Sequence, residues 1–227
     1  MRDVLPLLNA QQELERAFLA ETEERPDPPG GWSAAMMFFH LASWRERLWN
    51  ALAGASEGRP VDAPAGNIDE LNDREMEGAA GVSLADAAAR SDGALTSLIA
   101  IFETMGDVPF NWYTAATVAE AIVRNSYIHP RIHLADQLLR GGDEARSQEI
   151  LEESATEMRR AEAPGHILAP ALYNLAGVRV AQDRLDEALT LLEEALPLRP
   201  DLKATAVDDG DFESLRASPR FRELIEG

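Results

Sequence analysis

Residues 125–139 read NSYIHPRIHLADQLL, and this stretch carries two of the chain's four histidines, His129 and His133. Four positions apart on a helix, two imidazoles share one face a turn apart, within reach of a single ion. The neighbours say where that face points. Ile128, Ile132, Ala135 and Leu139 make one apolar stripe, widened by Tyr127, Leu134 and Leu138. Asn125, Ser126, His129, His133, Asp136 and Gln137 form a polar strip beside it. A helix apolar over so much of its circumference belongs inside a bundle, and polar groups buried there need partners. Asn125, one turn before His129, and Asp136 or Gln137, after His133, are candidates for orienting an imidazole or a substrate. Pro130 lies between the histidines; a proline inside a helix removes a backbone donor and kinks it, at ~3 kcal/mol when uncompensated.

Two histidines at this spacing on a surface helix can simply be solvated. A third, His40, changes the reading. Trp32-Ser33 reads as a helix start, with Ser33 as N-cap and Trp32 stapled back onto Met37. From there Met36, Met37, His40, Leu41, Trp44 and Leu48 recur at helical spacing. A lone histidine on such a face is usually a hydrogen-bonded core residue. One buried histidine on one helix and a pair on another converge instead into a three-nitrogen site with a position open to water, the arrangement of a catalytic zinc-type centre.

GWSAAMMFFHLASWRERLW (31–49) and NSYIHPRIHLADQL (125–138), joined by a long acidic connection, resemble the DinB-like superfamily. That group of four-helix bundles includes thiol-dependent transferases, maleylpyruvate isomerase-like proteins and self-resistance proteins. Its marks are a Trp-Ser start to the second helix, a His-Leu-Ala-x-Trp run within it and an HxxxH on the fourth. They stand here at Trp32-Ser33, at His40–Trp44, and at His129 with His133. GNIDELN (66–72) is similar to the family's segment before the third helix. The resemblance covers roughly the first 140 residues. It implies a divalent ion, zinc or nickel, on His40, His129 and His133, a low-molecular-weight thiol as a second cofactor, and a small-molecule substrate. The reaction it implies is thiol-dependent transfer or isomerisation, or hydrolysis of a small reactive compound. It also implies pairing of bundles into a homodimer.

The composition fits this class. The chain has 227 residues, 45% apolar and 27% charged, ordinary for a globular protein with a real core. It has no cysteine, which excludes disulfides, thiolate ligands and a cysteine nucleophile, and makes a cytoplasmic location the expectation. No apolar run approaches the ~20 residues that span a membrane, and MRDVLPLLNAQQELER lacks a signal-peptide core. With a net charge of −19 and no basic patch, nucleic acids and anionic membranes are not expected partners. There is no glycine-rich phosphate loop and no G-x-S-x-G turn.

In order, residues 3–24 read as a first helix, ended by ERPDPPGG (24–31), and the second runs from about Ala34 to Ala53. Residues 54–68 form a long connection, and the acidic runs 21–24, 69–77 and 208–211 read as solvated. Ser83 caps a third helix that stops near Gly106. VPFNWYT (108–114) reads as a loop leading into a fourth helix from about Ala115 to Arg140. Trp112 and Tyr113 at that junction either pack the bundle end or, with Trp44, line a pocket. Phe38 lies ~160° around the second helix from His40. It needs cover from the third helix, the C-terminal region or a second subunit, and Trp44 and Trp49 also crowd beyond one buried stripe.

Gly141-Gly142 closes the fourth helix, and residues 143–227 differ in kind. Ala145–Ala161 is an acidic amphipathic helix with Ile150, Leu151 and Met158 on one side. APGH (163–166) breaks it, leaving His166 in a linker, and Pro170 suits a first helical turn. Leu172, Leu175, Ala176, Ala188, Leu192, Ala195 and Pro200 then fall at the spacing of one tetratricopeptide repeat, with Asp183 and Arg179 where that repeat favours glycine and a large residue. Leu134, Ala135, Gly142 and Leu151 imitate a degenerate earlier repeat. Phe212, Leu215, Phe221, Leu224 and Ile225 read as a capping helix. The expected architecture is all-α: a four-helix bundle over 1–142 with an appended helical-repeat region packed on it. Two functions compete: a metal-dependent enzyme, for which the sequence offers no general base, or a non-catalytic module whose repeat region binds a peptide or protein beside a vestigial metal site.

Overall fold

The helical spacing of apolar residues is realised almost throughout. The computed structural model describes residues 1–22, 27, 31–64 and 66–226, and with 77% helix the fold is all-α. Two units emerge, residues 3–143 and residues from 144 onward. The first is built on α1 (Val4–Thr22), α2 (Ala34–Ser56), a short α3 (Ile68–Met76), α4 (Leu84–Met105) and a fourth long helix. That last helix is a continuous run of α5 (Val118–Val123), a π turn (Arg124–Ile128) and α6 (His129–Arg140). The Ser33 Oγ accepts from the Met36 N–H at 3.1 Å to start α2, and Ser83 does the same for Asp86 at α4. Residues 23–26 and 28–30, with the second half of the acidic run 21–24 and most of ERPDPPGG, lie outside the described residues, while Glu21 is exposed at the end of α1.

Where the structure departs from expectation, short local patterns explain it. The acidic run after residue 68 is not a solvated loop. Ile68 and Leu71 give it an apolar edge, and α3 docks on α2: the Trp44 Nε1 donates to Asn72 Oδ1 at 3.0 Å, and Arg47 pairs with Glu75. Nor is 108–114 a loop. Phe110 and Trp112 alternate with exposed neighbours, and β1 (Pro109–Trp112) pairs antiparallel with β2 (Ala115–Thr117). The fourth helix therefore starts at Val118, capped by Thr117, whose hydroxyl accepts from Glu120 N–H at 3.3 Å.

Pro130 does not kink the fourth helix. The π turn precedes it: His129 N–H donates five residues back to Arg124 C=O, and Pro130 falls in the first turn of α6, where a missing donor costs little. The wider turn re-aims the rest of the helix. Leu139, expected on the buried stripe, is 54% exposed, whereas Arg131 and Gln137 are buried. The Arg131 guanidinium lies 4.4 Å from the Tyr127 ring centroid, and its Nε donates to Gln11. Phe38 is covered within its own chain, its ring 6.2 Å from that of Phe18 on α1, so it gives no reason for a second subunit. The least legible feature is a charged core. Arg45 on α2, with no exposed side-chain surface, donates to Glu15 of α1 at 2.5 and 2.8 Å and to Ser91 Oγ of α4 at 2.6 Å.

The second unit comprises α7 (Glu144–Arg160), α8 (Gly165–Ala181), α9 (Leu185–Leu198), α10 (Asp201–Asp208) and α11 (Pro219–Glu226). Ala176, Ala188, Leu192 and Leu196 bury the α8–α9 seam, and Phe212, Leu215 and Phe221 close it as the tail was expected to do. Two details differ. Helix α8 starts at Gly165, so His166 stands in its first turn rather than in a linker, and Pro170 lies inside the helix. Asp183, in the place where the repeat favours glycine, adopts φ 58° in the turn ending α8, with Arg184 N–H on Arg179 C=O and Asp183 N–H on Val180 C=O. A left-handed conformation strains any residue with a Cβ. Asp183→Gly should therefore stabilise the chain by about 0.5–1 kcal/mol, read as a higher urea midpoint. A lower midpoint would show that the aspartate side chain itself holds the turn.

Candidate metal centre

The centre assembles from two helices that the sequence could place only separately. On α2, Ser33 caps the start and Met37, Leu41 and Leu48 hold the helix inward, so His40 is buried. On the other side, the π turn and α6 present His129 and His133, both partly exposed. The Nε2 atoms of His40 and His129 are 3.1 Å apart, those of His133 and His129 2.9 Å, and all three ligand nitrogens lie within 4.8 Å of one another. Two nitrogens held ~2.1 Å from one ion at a right angle stand ~3 Å apart, so these side chains fit a divalent ion bound on one face. Protons do not substitute well, because each neutral imidazole has a single N–H and three Nε2 atoms compete for one point. Among the described residues no carboxylate joins the cluster.

Electrostatics keep the three imidazoles in the ligating form. Burial lowers the His40 pKa to about 3, helped by the charges of His133 and Arg47. Burial lowers His133 to about 4, with Asp136 pulling the other way. His129 falls well below its usual value, through burial first, then His133, His40, Arg124 and Arg45. Between pH 6.5 and about 4 the unfolded chain binds protons that the folded chain refuses, so the metal-free protein loses stability as pH falls through that window. His40→Leu should flatten this dependence, seen as a smaller drop in Tm between pH 7 and pH 4.5 than in the wild type. An unchanged drop would contradict the burial of a neutral His40.

Trp32, read from sequence only as a staple, is a wall of the site. Its ring stacks on His133 at 5.6 Å and lies 4.7 Å from that of His40. Gln137 Nε2 donates to Trp32 C=O at 2.7 Å, and Arg140 Nη2 adds a second bond at 2.9 Å. Gln137 thus supports the site through Trp32, not by touching an imidazole. Asp136 is bonded to Arg140 at 2.9 Å and acts on His133 only through its charge. Asn125 does not orient His129; its Nδ2 donates to Trp44 C=O at 3.2 Å and its Oδ1 accepts from Ser126, tying the π turn to α2.

Trp44 is the junction of the site. Its ring centroid is 6.3 Å from those of both His40 and His129 and 6.1 Å from that of Tyr113, and the Arg47 guanidinium lies 4.8 Å over it. Trp112 is buried, stacked on Phe110 and edge-on to Tyr113 at 5.5 Å, so it packs the hairpin and backs Tyr113. Arg47 and Arg124, which flank Tyr113, carried no signal in the sequence beyond ordinary surface charge.

Comparison with known proteins bears on residues from the fourth helix onward. No curated protein and no solved structure matches it. Residues 128–201 match the family model of the tetratricopeptide repeat, about a third of the chain. The match begins one position before His129 and runs to the start of α10, so it includes the stretch read as a degenerate first repeat. The C-terminal region is tetratricopeptide-like.

Proposed function

We propose that the N-terminal unit holds a divalent ion, zinc or nickel, on His40, His129 and His133, and that it is a metal-dependent enzyme of DinB-like kind. Its reaction on this reading is thiol-dependent transfer or isomerisation, or hydrolysis, of a small molecule. The observation that carries the reading is the convergence of three Nε2 atoms from α2 and α6 with, among the described residues, no carboxylate beside them. A divalent ion on three neutral imidazoles keeps its full charge and lowers the pKa of a water or thiol bound to it. The chain's own part is to hold neutral nitrogens in place, with Trp32 and Trp44 as apolar walls. Cobalt(II) added to the metal-free full chain tests this. One equivalent should give visible absorption bands, and 2-mercaptoethanol should add a thiolate charge-transfer band. Bands that a thiol leaves untouched would argue against a thiol-using site, and no bands at all against the centre.

The helical-repeat region supports a second role in the same chain, an interaction module for a peptide or protein. Its match to the tetratricopeptide repeat carries this reading. A cleft of about 410 Å3 lined by Leu175, Leu191, Thr190 and the flanking charges of Arg159 and Glu194 is the candidate surface. Leu191→Arg should abolish capture of a partner by the full chain while leaving cobalt binding intact; capture unaffected by that change would place the interaction elsewhere.

A further inference from the structure

The site holds more hydrogen-bonding capacity than three histidines use. Arg47 stands on α2 three positions after Trp44 and seven after His40, on the same face. It pairs with Glu75, yet its Nη1 and the Glu75 Oε2 are both buried without a partner. The Tyr113 hydroxyl is likewise buried without a partner. Both lie against the Trp44 ring, the Arg47 guanidinium 4.8 Å from its centroid and the Tyr113 ring 6.1 Å from it, yet no hydrogen bond joins them. The Arg124 guanidinium lies 5.1 Å from the Tyr113 ring centroid. Buried polar groups left in this state call for a partner beyond the chain's own side chains, a water, an ion or a ligand.

The backbone points the same way. Tyr113 is the first residue of the two-residue turn between β1 and β2, at φ 52°. Such turns favour asparagine or glycine, and a tyrosine held in the left-handed region is a strain that functional sites tolerate. The strain sets a phenol beside a guanidinium, on the aromatic platform of Trp44 that also carries His40 and His129.

We propose that Arg47 and Tyr113 form an anion subsite beside the three histidines, and that the substrate is a small organic acid whose carboxylate lies there. The two oxygens of a carboxylate match one guanidinium N–H and one hydroxyl. Glu75 already offsets part of the Arg47 charge, and two donors are too few for a phosphate dianion, which favours a monoanionic group. A net charge of −19 repels anions from most of the surface, so this basic pocket selects them locally. A cleft of about 360 Å3 on the Arg47 side is lined by Arg47, Arg59 and Trp112. The inference deepens the enzyme reading, on which it rests for where the reacting end of the substrate lies.

Calorimetric titration of the metal-free full chain with succinate, succinamide and inorganic phosphate tests it without any turnover. Succinate should bind, succinamide should not, and phosphate should bind more weakly than succinate. Arg47→Met should weaken succinate by about tenfold or more, and Tyr113→Phe by about three- to tenfold. Tyr113→Phe removes one oxygen and keeps the test decisive should Arg47→Met fail to fold. Equal binding of succinate and succinamide, or succinate affinity untouched by Tyr113→Phe, overturns the subsite; tighter binding of phosphate overturns the carboxylate. Zinc titration of the same protein separates the two readings: succinate binding without zinc binding leaves the subsite standing and removes the metal centre.

Discussion

Arg45→Met is expected to destabilise the chain by about 3–5 kcal/mol. The substitution keeps the volume but strands the Glu15 carboxylate, buried with Gln11 as its remaining neighbour at 2.8 Å. It also frees Ser91, so α1, α2 and α4 lose the group that joins them. The double variant Glu15→Leu with Arg45→Met should recover most of the loss, because replacing both charges by apolar groups removes the stranded one. Urea denaturation at pH 7 measures both. A single variant within about 1 kcal/mol of wild type, or a double variant no better than the single, would contradict a tightly coupled buried pair.

The second large effect is the coupling of metal to folding. Free zinc at ~1,000 times its Kd should raise stability by about 4 kcal/mol, since only the folded chain gathers the three nitrogens. His129→Ala should abolish that gain. His129 is the natural target because its Nε2 is the common neighbour of the other two, at 3.1 and 2.9 Å. Its removal without metal should cost little, as the cluster satisfies few hydrogen bonds of its own; His40 Nδ1 has no partner. Thermal melts with and without zinc decide the matter, and an equal rise in Tm for the variant would contradict the assignment.

These two results touch opposite ends of what a sequence exposes. The histidines could be found because a helix repeats every 3.6 residues: His129 and His133 share a face by spacing alone, and His40 sits among Met37, Leu41 and Trp44 in an unmistakably apolar helix. The all-α fold and the repeat-like seam of Ala176, Ala188 and Leu192 were legible for the same reason. Arg45 and Arg131 were not, since a charged residue reads as surface unless its partner is known, and Glu15 lies 30 positions from Arg45. Helix α3 hid among acidic residues whose partners, Trp44 and Arg47, belong to α2. The hairpin at Phe110 and Trp112 has too few alternations to register. The π turn has no sequence signal except Pro130, which suggested a kink where the helix instead widens to absorb it. Trp32 and Tyr113 enter the site through tertiary packing, which no local pattern reports.

The most direct test of the metal centre is elemental analysis of the full chain purified without added metal, wild type beside His40→Ala, with helix content followed by circular dichroism. The prediction is about one equivalent of zinc or nickel in the wild type and almost none in the variant, at unchanged helix content. Equal metal in the two, or a wild type that neither carries metal nor takes up zinc on titration, would contradict it.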